Sequence, residues 1–243
     1  DALDCEFIAT GHYVQVREEA SRYIISKGVD ATKDQSYVLW GLSQECLRRS
    51  IYPLGHLHKT EVRQMALDYG YPELAKKSES YEICFVPDND YREFLKKKVT
   101  GLEDEVNGGE FVLSDGTVVG THKGYPFYTI GQRKGLDIAL GKPMYVTHID
   151  PEHNRVTLGS EEELERFDIR VSRLNMIKYD TIKNGMPSLT KIRYKSAATP
   201  SVLEMNQGIV GVRFDQAVKG VAPGQSAVFY EGDDVIAGGI ILA

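Results

Sequence analysis

The hydrophobic period of this chain changes near Val99, and this change constrains the fold more than any other feature. Before it, apolar residues recur at helical spacing between short apolar runs; after it, short apolar runs alternate with Gly, Pro and Asn. Alternating strands and helices are typical of α/β domains, whereas many short strands with frequent turns are typical of a small barrel or sandwich. The sequence therefore predicts an α/β part followed by mostly antiparallel β structure.

The first 30 residues are expected to form a strand and a hairpin. An apolar run over 5–9 leads into Thr10-Gly11-His12-Tyr13 and predicts a buried strand that ends in a loop. Cys5 begins this run and is expected in the core. Segments 12–16 and 22–26 are predicted to pair across Glu18-Glu19.

Three helices are predicted between residues 36 and 98. Over 36–51 the apolar residues share one helical face, which places Cys46 in the core. The second helix has Thr60 as its N-cap and ends at Gly70, with Pro72 preventing its resumption. The third begins near 88–90 and ends in three lysines, which suit the negative end of the helix dipole.

Two domain boundaries are expected, near residue 100 and at the acidic run 161–165. Hairpins are predicted over 110–119 and 144–158. Beyond residue 167 the predicted strands are 189–195, 201–205, 209–214, 227–230 and 235–242. The resulting division is 1–100, a small central β-rich domain over 101–166, and an antiparallel β-barrel over 167–243.

Composition excludes several classes of protein. The net charge of −6 gives no overall attraction to nucleic acid, although 170–219 carries nine basic against three acidic residues. No apolar run is long enough to span a bilayer, so no membrane partner is expected. Three widely spaced cysteines indicate a reducing compartment and a cytoplasmic protein, and no residues stand at zinc-binding spacing.

Residue types alone leave the function open. Cys84 precedes a predicted helix start and follows two lysines, which would lower a thiol pKa, but an arbitrary cysteine is more often a small buried hydrophobe. Gly11 follows a strand, where backbone can approach a nucleotide or simply turn. Lys33-Asp34-Gln35-Ser36 is compatible with a plain helix cap.

Three further segments have both a binding and a purely structural interpretation. Arg193-Tyr194 suits phosphate contact and base stacking, or an alternating strand face. The glycine-flanked basic turn 131–135 matches no phosphate-loop template, and Pro223-Gly224-Gln225 is equally compatible with an ordinary turn.

Seven segments in order resemble the tRNA-specific 2-thiouridylases over essentially the whole chain. The most specific are Thr129-Ile130-Gly131-Gln132-Arg133-Lys134-Gly135 and Pro223-Gly224-Gln225-Ser226-Ala227-Val228-Phe229-Tyr230. The others are Ala9–Tyr13, Lys33–Tyr37, Tyr52–Gly55 with Lys59–Arg63, Ile83–Val86 with Arg92–Leu95, and Lys191–Tyr194.

The resemblance implies a reaction and a set of residues. The C2 oxygen of the wobble uridine of tRNA is adenylated with ATP, accompanied by Mg²⁺, and a cysteine persulfide then supplies sulfur while a second cysteine completes the exchange through a disulfide. A sulfur-donor protein is the implied partner besides tRNA, and no protein-bound metal is implied. Cys84 matches the persulfide position and Gly11 a nucleotide contact; positions that touch tRNA are matched by His12, Lys33, Asp34, Gln35, Arg193, Tyr194 and Gln225.

The resemblance also implies parts that this sequence lacks. Residues 1–100 correspond to the C-terminal part of an α/β adenylating catalytic domain, whose pyrophosphate loop and nucleophilic cysteine lie upstream in the family. Residues 78–82 also differ from the usual family stretch before the persulfide cysteine. We therefore expect a piece of a longer polypeptide that cannot complete the reaction alone. A non-catalytic RNA-binding module and another adenylating ligase or amidotransferase of the same fold remain alternatives.

Overall fold

A computed structural model describes residues 4–77, 86 and 90–242 of the chain. It divides into two compact units. The first unit combines residues 1–77 with 167–217 and 223–243, and the second combines 78–166 with 218–222. The division predicted at residues 100 and 166 remains a prediction.

The described strands are β1 Ile8–Ala9, β2 Val14–Glu19, β3 Arg22–Lys27, β4 Ser50–Ile51, β5 Gly109–Leu113, β6 Val118–His122, β7 Tyr145–Asp150, β8 Arg155–Gly159, β9 Glu165–Met176, β10 Met186–Lys191, β11 Thr199–Asn206, β12 Ile209–Lys219, β13 Ser226–Glu231 and β14 Asp234–Ile241. The described α-helices are α1 Gln44–Arg48, α2 Lys59–Asp68, α3 Pro72–Lys76, α4 Tyr91–Lys98 and α5 Leu102–Val106, with short 3-10 turns at Ser36–Leu39, Tyr125–Phe127 and Glu162–Leu164.

A closed antiparallel barrel dominates the first unit. Its strands follow the order β13, β10, β11, β12, β9 and β14, and pairing between β13 and β14 closes the ring. The hairpin β2–β3 extends this sheet, because β3 pairs with β14 on the outer side. The predicted barrel and hairpin are therefore confirmed.

The remainder of the first unit packs on this barrel. Strands β1 and β4 form a two-stranded parallel sheet, and α1 and α2 follow in sequence. One core joins this part to the barrel, and burying each of its large side chains contributes about 1.5–3 kcal/mol. Its buried members are Val14, Ile25, Tyr37, Leu47, Tyr52, Ile177, Val228, Tyr230 and Val235.

The predicted helix over 36–51 is wrong. A 3-10 turn, the short α1 and the strand β4 occupy this stretch instead. Ser43 caps α1 by accepting a hydrogen bond from the Cys46 backbone at 3.2 Å, so a new helix starts where a continuous one was expected. As a result Cys46 is exposed, not in the core.

Other expectations for the first 77 residues also need correction. Strand β1 is short and exposed, and Cys5 before it is exposed as well. The β2–β3 turn lies at Ala20-Ser21, whose positive φ angles of 49° and 63° match the twist of a tight hairpin. Helix α2 is capped at His58 instead of Thr60 and buries none of its apolar stripe.

Pro72 does not end helical structure as predicted. Gly70 ends α2 with a φ of +81°, and Pro72 then begins α3. Proline suits the first turn of a helix, because the N–H group it lacks would have no partner there.

The second unit contains a four-stranded sheet in the order β6, β5, β8 and β7. Both predicted hairpins are confirmed, and β5 pairs with β8 in parallel. The predicted third helix is α4, where the Asp90 side chain accepts from the Arg92 and Glu93 backbones at 3.1 Å. The buried core of the second unit consists of Phe111, Leu136, Met144, Val146, Val156 and Leu158.

Candidate functional site

The loop after β3 is folded around the carboxylate of Asp34. Its Oδ1 accepts hydrogen bonds from the backbones of Gly28 at 3.3 Å and Ser36 at 3.0 Å. Its Oδ2 accepts from the Ser36 hydroxyl at 3.0 Å. Asp side chains commonly bond to backbone two residues ahead and so fix turns. Asp34 therefore has a structural role in addition to the predicted binding role.

Gln35 ties this loop to the segment that contains Gly11 and His12. The Tyr13 backbone N–H donates to the Gln35 Oε1 at 3.0 Å, and the Gln35 N–H donates to the Tyr13 carbonyl at 3.1 Å. His12 is the next residue, and its Nδ1 lies 2.9 Å from the Thr10 hydroxyl. The structure thus brings His12 close to the Lys33-Asp34-Gln35 segment.

Tyr37 connects the same loop to two parts of the barrel. Its hydroxyl donates to the Ser226 carbonyl at 2.8 Å, next to the exposed Gln225. Its ring centroid lies 6.2 Å from that of Tyr194. Tyr37 is itself buried, so it links these segments from the protein interior.

The predicted strand 189–195 is wrong at its end, since β10 stops at Lys191. Arg193 and Tyr194 therefore lie in a turn and not on a strand. The Ser196 hydroxyl donates to the Arg193 carbonyl at 2.9 Å and fixes this turn. The Tyr194 side chain is 39% exposed, so its ring is available for contact.

Lys191 lies between the two tyrosine rings. Its Nζ is 5.8 Å from the Tyr37 ring centroid and 5.9 Å from that of Tyr194. Both distances suit cation–π attraction. Lys27 makes a similar contact with Tyr230 at 5.2 Å, and Tyr230 in turn lies 3.1 Å from the Ser36 hydroxyl. We call Lys27, Lys33, Tyr37, Lys191, Arg193, Tyr194 and Tyr230 the cation–tyrosine cluster.

Burial dominates the electrostatics of this cluster. It raises the pKa of Tyr37 to about 12, opposed by the nearby positive charge of Arg193. It also raises the pKa of Tyr194, with Asp34 and Lys33 close enough to act on it in opposite directions. Burial lowers the pKa of Lys191, since a partly desolvated ammonium loses hydration.

A cavity of about 820 Å³ lies beside the carboxyl end of β1. Thr10, His12 and Tyr52 line it together with the exposed thiols Cys5 and Cys46. Gly11 stands between the lining residues Thr10 and His12; it is exposed, and a Cβ added to it would meet only Leu54 Cδ1, at 3.6 Å. The backbone at Gly11 is therefore open to a ligand, at the strand end where α/β sheets bind nucleotides.

The predicted persulfide residue Cys84 lies outside the described residues. The basic turn 131–135 belongs to the second unit, where Arg133 and Lys134 are exposed. Among the residues that the structure describes, no group of three or more His, Cys, Asp or Glu side chains is arranged to hold a metal ion. No helix in this part of the chain is long and apolar enough to cross a membrane.

Four cluster members were not predicted as site residues, namely Lys27, Tyr37, Lys191 and Tyr230. Tyr37 directly follows the Lys33–Ser36 segment, and Lys191 stands two positions before Arg193. A strand to Lys195, as predicted, would have placed Lys191 and Arg193 on one side, but β10 ends at Lys191, so only closeness in sequence points to Lys191. Nothing local indicates that Tyr37 would reach Ser226, because 189 positions separate them.

Three family descriptions together match nearly the whole chain. Residues 1–88 match the family described as tRNA methyl transferase HUP domain, and residues 92–160 match the tRNA methyl transferase PRC-barrel domain. Residues 166–241 match the aminomethyltransferase beta-barrel domain.

Curated relatives agree on one name, tRNA-specific 2-thiouridylase MnmA. That of Cytophaga hutchinsonii is 60% identical over 99% of this chain and 66% of its own length. That of Amoebophilus asiaticus is 58% identical, with 65% of its length covered. That of Chlorobium phaeobacteroides is 44% identical, and this chain covers 99% of itself and 68% of that relative.

The chain belongs to the tRNA-specific 2-thiouridylase family. The resemblance inferred from the motifs is confirmed, as is the fold class of an α/β part followed by mostly antiparallel β structure. The chain spans about two thirds of the length of the 2-thiouridylases it matches, 66% of the C. hutchinsonii protein and 65% of the A. asiaticus protein.

Proposed function

We propose that this chain serves ATP-dependent sulfur transfer to C2 of the wobble uridine of tRNA, and that its cation–tyrosine cluster binds the tRNA. Its family membership supports the reaction class. The contacts within the cluster support the RNA-binding role.

The observation that carries the proposal is the meeting of three distant segments. The loop of Lys33, the turn of Arg193-Tyr194 and the strand start beside Gln225 all contact or flank Tyr37. The family resemblance implies tRNA contact for a residue in each of these segments. A packing core has no need for several half-buried cations beside an exposed ring, whereas RNA recognition combines cations with aromatic rings.

Each side chain is assigned a role in tRNA binding that follows from its chemistry. Lys33 and Arg193 supply positive charge for phosphates, and the exposed ring of Tyr194 offers a stacking surface for a base. Gln225, which is exposed, and His12 carry hydrogen-bonding groups that can read a base edge. Asp34 and Gln35 act by holding the loop, through the contacts described above.

The cavity beside β1 suits a nucleotide in size and position, since ligand sites usually enclose about 300–1,000 Å³. We assign the nucleotide contact to Gly11, whose exposed backbone lets a phosphate or ribose approach. ATP bound there supplies the adenylate group that makes the uridine C2 oxygen a leaving group. Mg²⁺ would accompany the nucleotide.

Sulfur delivery is assigned to Cys84. A thiolate attacks sulfur–sulfur bonds and can therefore receive persulfide sulfur from a donor protein. Mass spectrometry after sulfur loading should find the added sulfur on the peptide that contains Cys84 and lose it in Cys84→Ser. Extra sulfur on Cys5 or Cys46 alone would contradict this assignment. A cytoplasmic location remains part of the proposal.

Binding of an unmodified tRNA transcript with uridine at the wobble position tests the RNA-binding role. Tyr194→Leu removes the stacking ring and is expected to weaken affinity about 5–150-fold, corresponding to about 1–3 kcal/mol. Tyr194→Phe keeps the ring and should bind within about twofold of the parent chain, because the stacking face is unchanged.

The matched control is Phe167→Leu, which removes another exposed ring of the first unit, 57% exposed. It should leave tRNA affinity unchanged. Equal losses in Tyr194→Leu and Phe167→Leu would show that the cluster has no special role. Tight tRNA binding with no effect of ATP on any step would favour a non-catalytic RNA-binding module.

A further inference from the structure

Among the residues that the structure describes, the Lys191 ammonium packs against aromatic rings and no carboxylate lies in ion-pair contact with it. Its ammonium lies near two ring centroids, at 5.8 and 5.9 Å. Within the described part of the chain, no Asp or Glu oxygen lies within ion-pair distance of it. Lys27 differs, because its Nζ lies 3.1 Å from Asp233 and 3.2 Å from the Gly232 carbonyl.

The acid that acts on Lys191, Asp34, is hydrogen-bonded within its own loop. Asp34 is close enough to act on Lys191, but both of its oxygens accept hydrogen bonds from Ser36, and one also accepts from Gly28. Lys191 is therefore a partly desolvated cation on which Asp34 acts electrostatically, with no carboxylate among the described residues in direct contact with its ammonium.

We propose that Lys191 binds a backbone phosphate of tRNA while the Tyr194 ring, on which it packs, stacks on an adjacent base. This inference rests on the proposed function and adds a residue to the RNA-binding set. The aromatic rings hold the ammonium in place before RNA arrives, so little side-chain freedom is lost on binding. Burial also lowers the pKa of Lys191, because the partly desolvated ammonium has lost hydration that a bound anion would replace.

The surrounding charges favour an anion at this place. Lys27 and Lys191 are close enough for each to act on the other, and Arg193 acts on the neighbouring Tyr37. A phosphodiester relieves this repulsion, whereas a neutral ligand does not. The exposed face of Tyr194 beside the ammonium matches the alternation of phosphate and base along an RNA strand.

Salt dependence of tRNA binding tests the proposal. Affinity for the unmodified transcript is measured between about 50 and 200 mM KCl for the parent chain, Lys191→Gln, Lys191→Arg and Lys183→Gln. Lys183 is the matched control, since it is exposed and precedes β10, whereas Lys191 ends that six-residue strand. Removing one phosphate contact should lower the slope of log affinity against log salt by about 0.7–0.9.

The four proteins have distinct expected results. Lys191→Gln should show the reduced slope, Lys191→Arg should keep the parent slope, and Lys183→Gln should keep it too. Thermal melting of Lys191→Gln should match the parent, because a neutral side chain there removes a desolvated charge and not a salt bridge. An unchanged slope in Lys191→Gln, or an equal reduction in Lys183→Gln, would overturn the proposal.

Two further measurements distinguish phosphate binding by Lys191 from ATP binding and from failure of the proposed function. ATP affinity of Lys191→Gln should equal that of the parent, and a drop there with no change in tRNA slope would assign the bound phosphate to the nucleotide instead. Absence of tRNA binding by the parent chain would reject the proposed function itself. Parent binding with an unaltered Lys191→Gln slope would reject the role of Lys191 alone.

Discussion

Arg17 and Asp234 form a bidentate ion pair, in which Nη1 and Nη2 of Arg17 each lie 2.8 Å from one carboxylate oxygen of Asp234. The Ser26 hydroxyl donates to the same carboxylate at 2.6 Å, and Lys178 Nζ lies 2.8 Å from it. Asp234 begins β14, whereas Arg17 and Ser26 lie on β2 and β3. The pair therefore fastens the hairpin to the barrel.

Neutralising Asp234 should destabilise the chain and remove part of its acid sensitivity. The Arg17 guanidinium is the main reason why the pKa of Asp234 lies well below its usual range. A carboxyl with a depressed folded-state pKa stabilises the fold fully above its unfolded pKa of about 4, and this stabilisation is lost as the pH falls toward the folded value. Asp234→Asn should cost about 1–2 kcal/mol at pH 7, reduced by the 44% exposure of Arg17.

Urea unfolding at pH 7 and at about pH 3 measures both effects. The difference in stability between Asp234→Asn and the parent should shrink at the lower pH. Asp215→Asn, at an exposed position of β12, is the control and should follow the parent at both pH values. A constant difference across this range would show that the ion pair does not carry the acid dependence.

Gly238 on β14 should not tolerate alanine. A Cβ there would come within 2.6 Å of the Trp40 ring, so the indole must move and strain its 3.0 Å hydrogen bond to Ser226 Oγ. The expected cost is about 1–3 kcal/mol, as for other overpacked sites.

Trp40 is the chain's single tryptophan, so its fluorescence reports directly on the shift. Gly238→Ala should move the emission to longer wavelength, and urea unfolding gives the stability. In Gly211→Ala, the new Cβ meets only the Glu204 carbonyl, at 3.8 Å, and both readouts should stay at parent values. Parent-like emission in Gly238→Ala would show that strand β14 moves to accommodate the methyl group and that the indole stays in place.

His122 should make stability fall as the solution is acidified from neutral pH. Burial lowers its pKa, and its Nδ1 accepts a hydrogen bond from the Gly124 backbone at 3.0 Å, which protonation would abolish. A base with a lowered folded-state pKa stabilises the fold fully above its unfolded pKa of about 6.5 and loses that contribution as the pH falls toward the folded value.

Unfolding free energies at about pH 7.5 and 5 test this expectation. His122→Asn should lose stability overall and show a weaker decline between the two pH values than the parent. His148→Gln, which changes an exposed histidine on β7 of the same unit, should keep the parent decline. An identical decline in all three proteins would assign the pH dependence to other groups.

ATP should protect Cys46 from alkylation. Cys5 and Cys46 are exposed and line the cavity assigned to the nucleotide, so a bound nucleotide covers them. Alkylation should slow about tenfold when ATP is present at about ten times its dissociation constant, as mass action requires. Peptide mass spectrometry gives the rate for each cysteine.

Gly11→Val places bulk on the exposed backbone and should abolish this protection while leaving the fold intact. Gly211→Val in the barrel should leave protection unchanged. Protection that persists in Gly11→Val would move the nucleotide away from the carboxyl end of β1.

Local chemistry predicted much of this fold but failed where two weak signals competed. The hairpins over 110–119 and 144–158 have turn residues between alternating strands, and they formed as expected. In 36–51 the apolar spacing suggested one helix, yet Gly41 and the capping hydroxyl of Ser43 start a new element. The capping hydroxyl overrides the helical periodicity, and Cys46 is therefore exposed where the periodicity alone predicts a core position.

The site could be predicted residue by residue but not as an arrangement. Motifs identified Arg193 and Tyr194, although the strand was extended past them because Lys191–Lys195 alternates like β structure. The contact of Tyr37 with Ser226 depends on closure of the barrel, a long-range event that no local pattern encodes.

Closure of the barrel by β13 and β14 also determines when the site can exist during synthesis. The Ser226 carbonyl that holds Tyr37 becomes available only after the ribosome has made the last hairpin, 189 residues after Tyr37 itself. A nascent chain therefore contains the loop of Lys33 before the Ser226 carbonyl that holds Tyr37 has been made. The complete cation–tyrosine cluster, and with it the proposed RNA site, therefore forms late in synthesis.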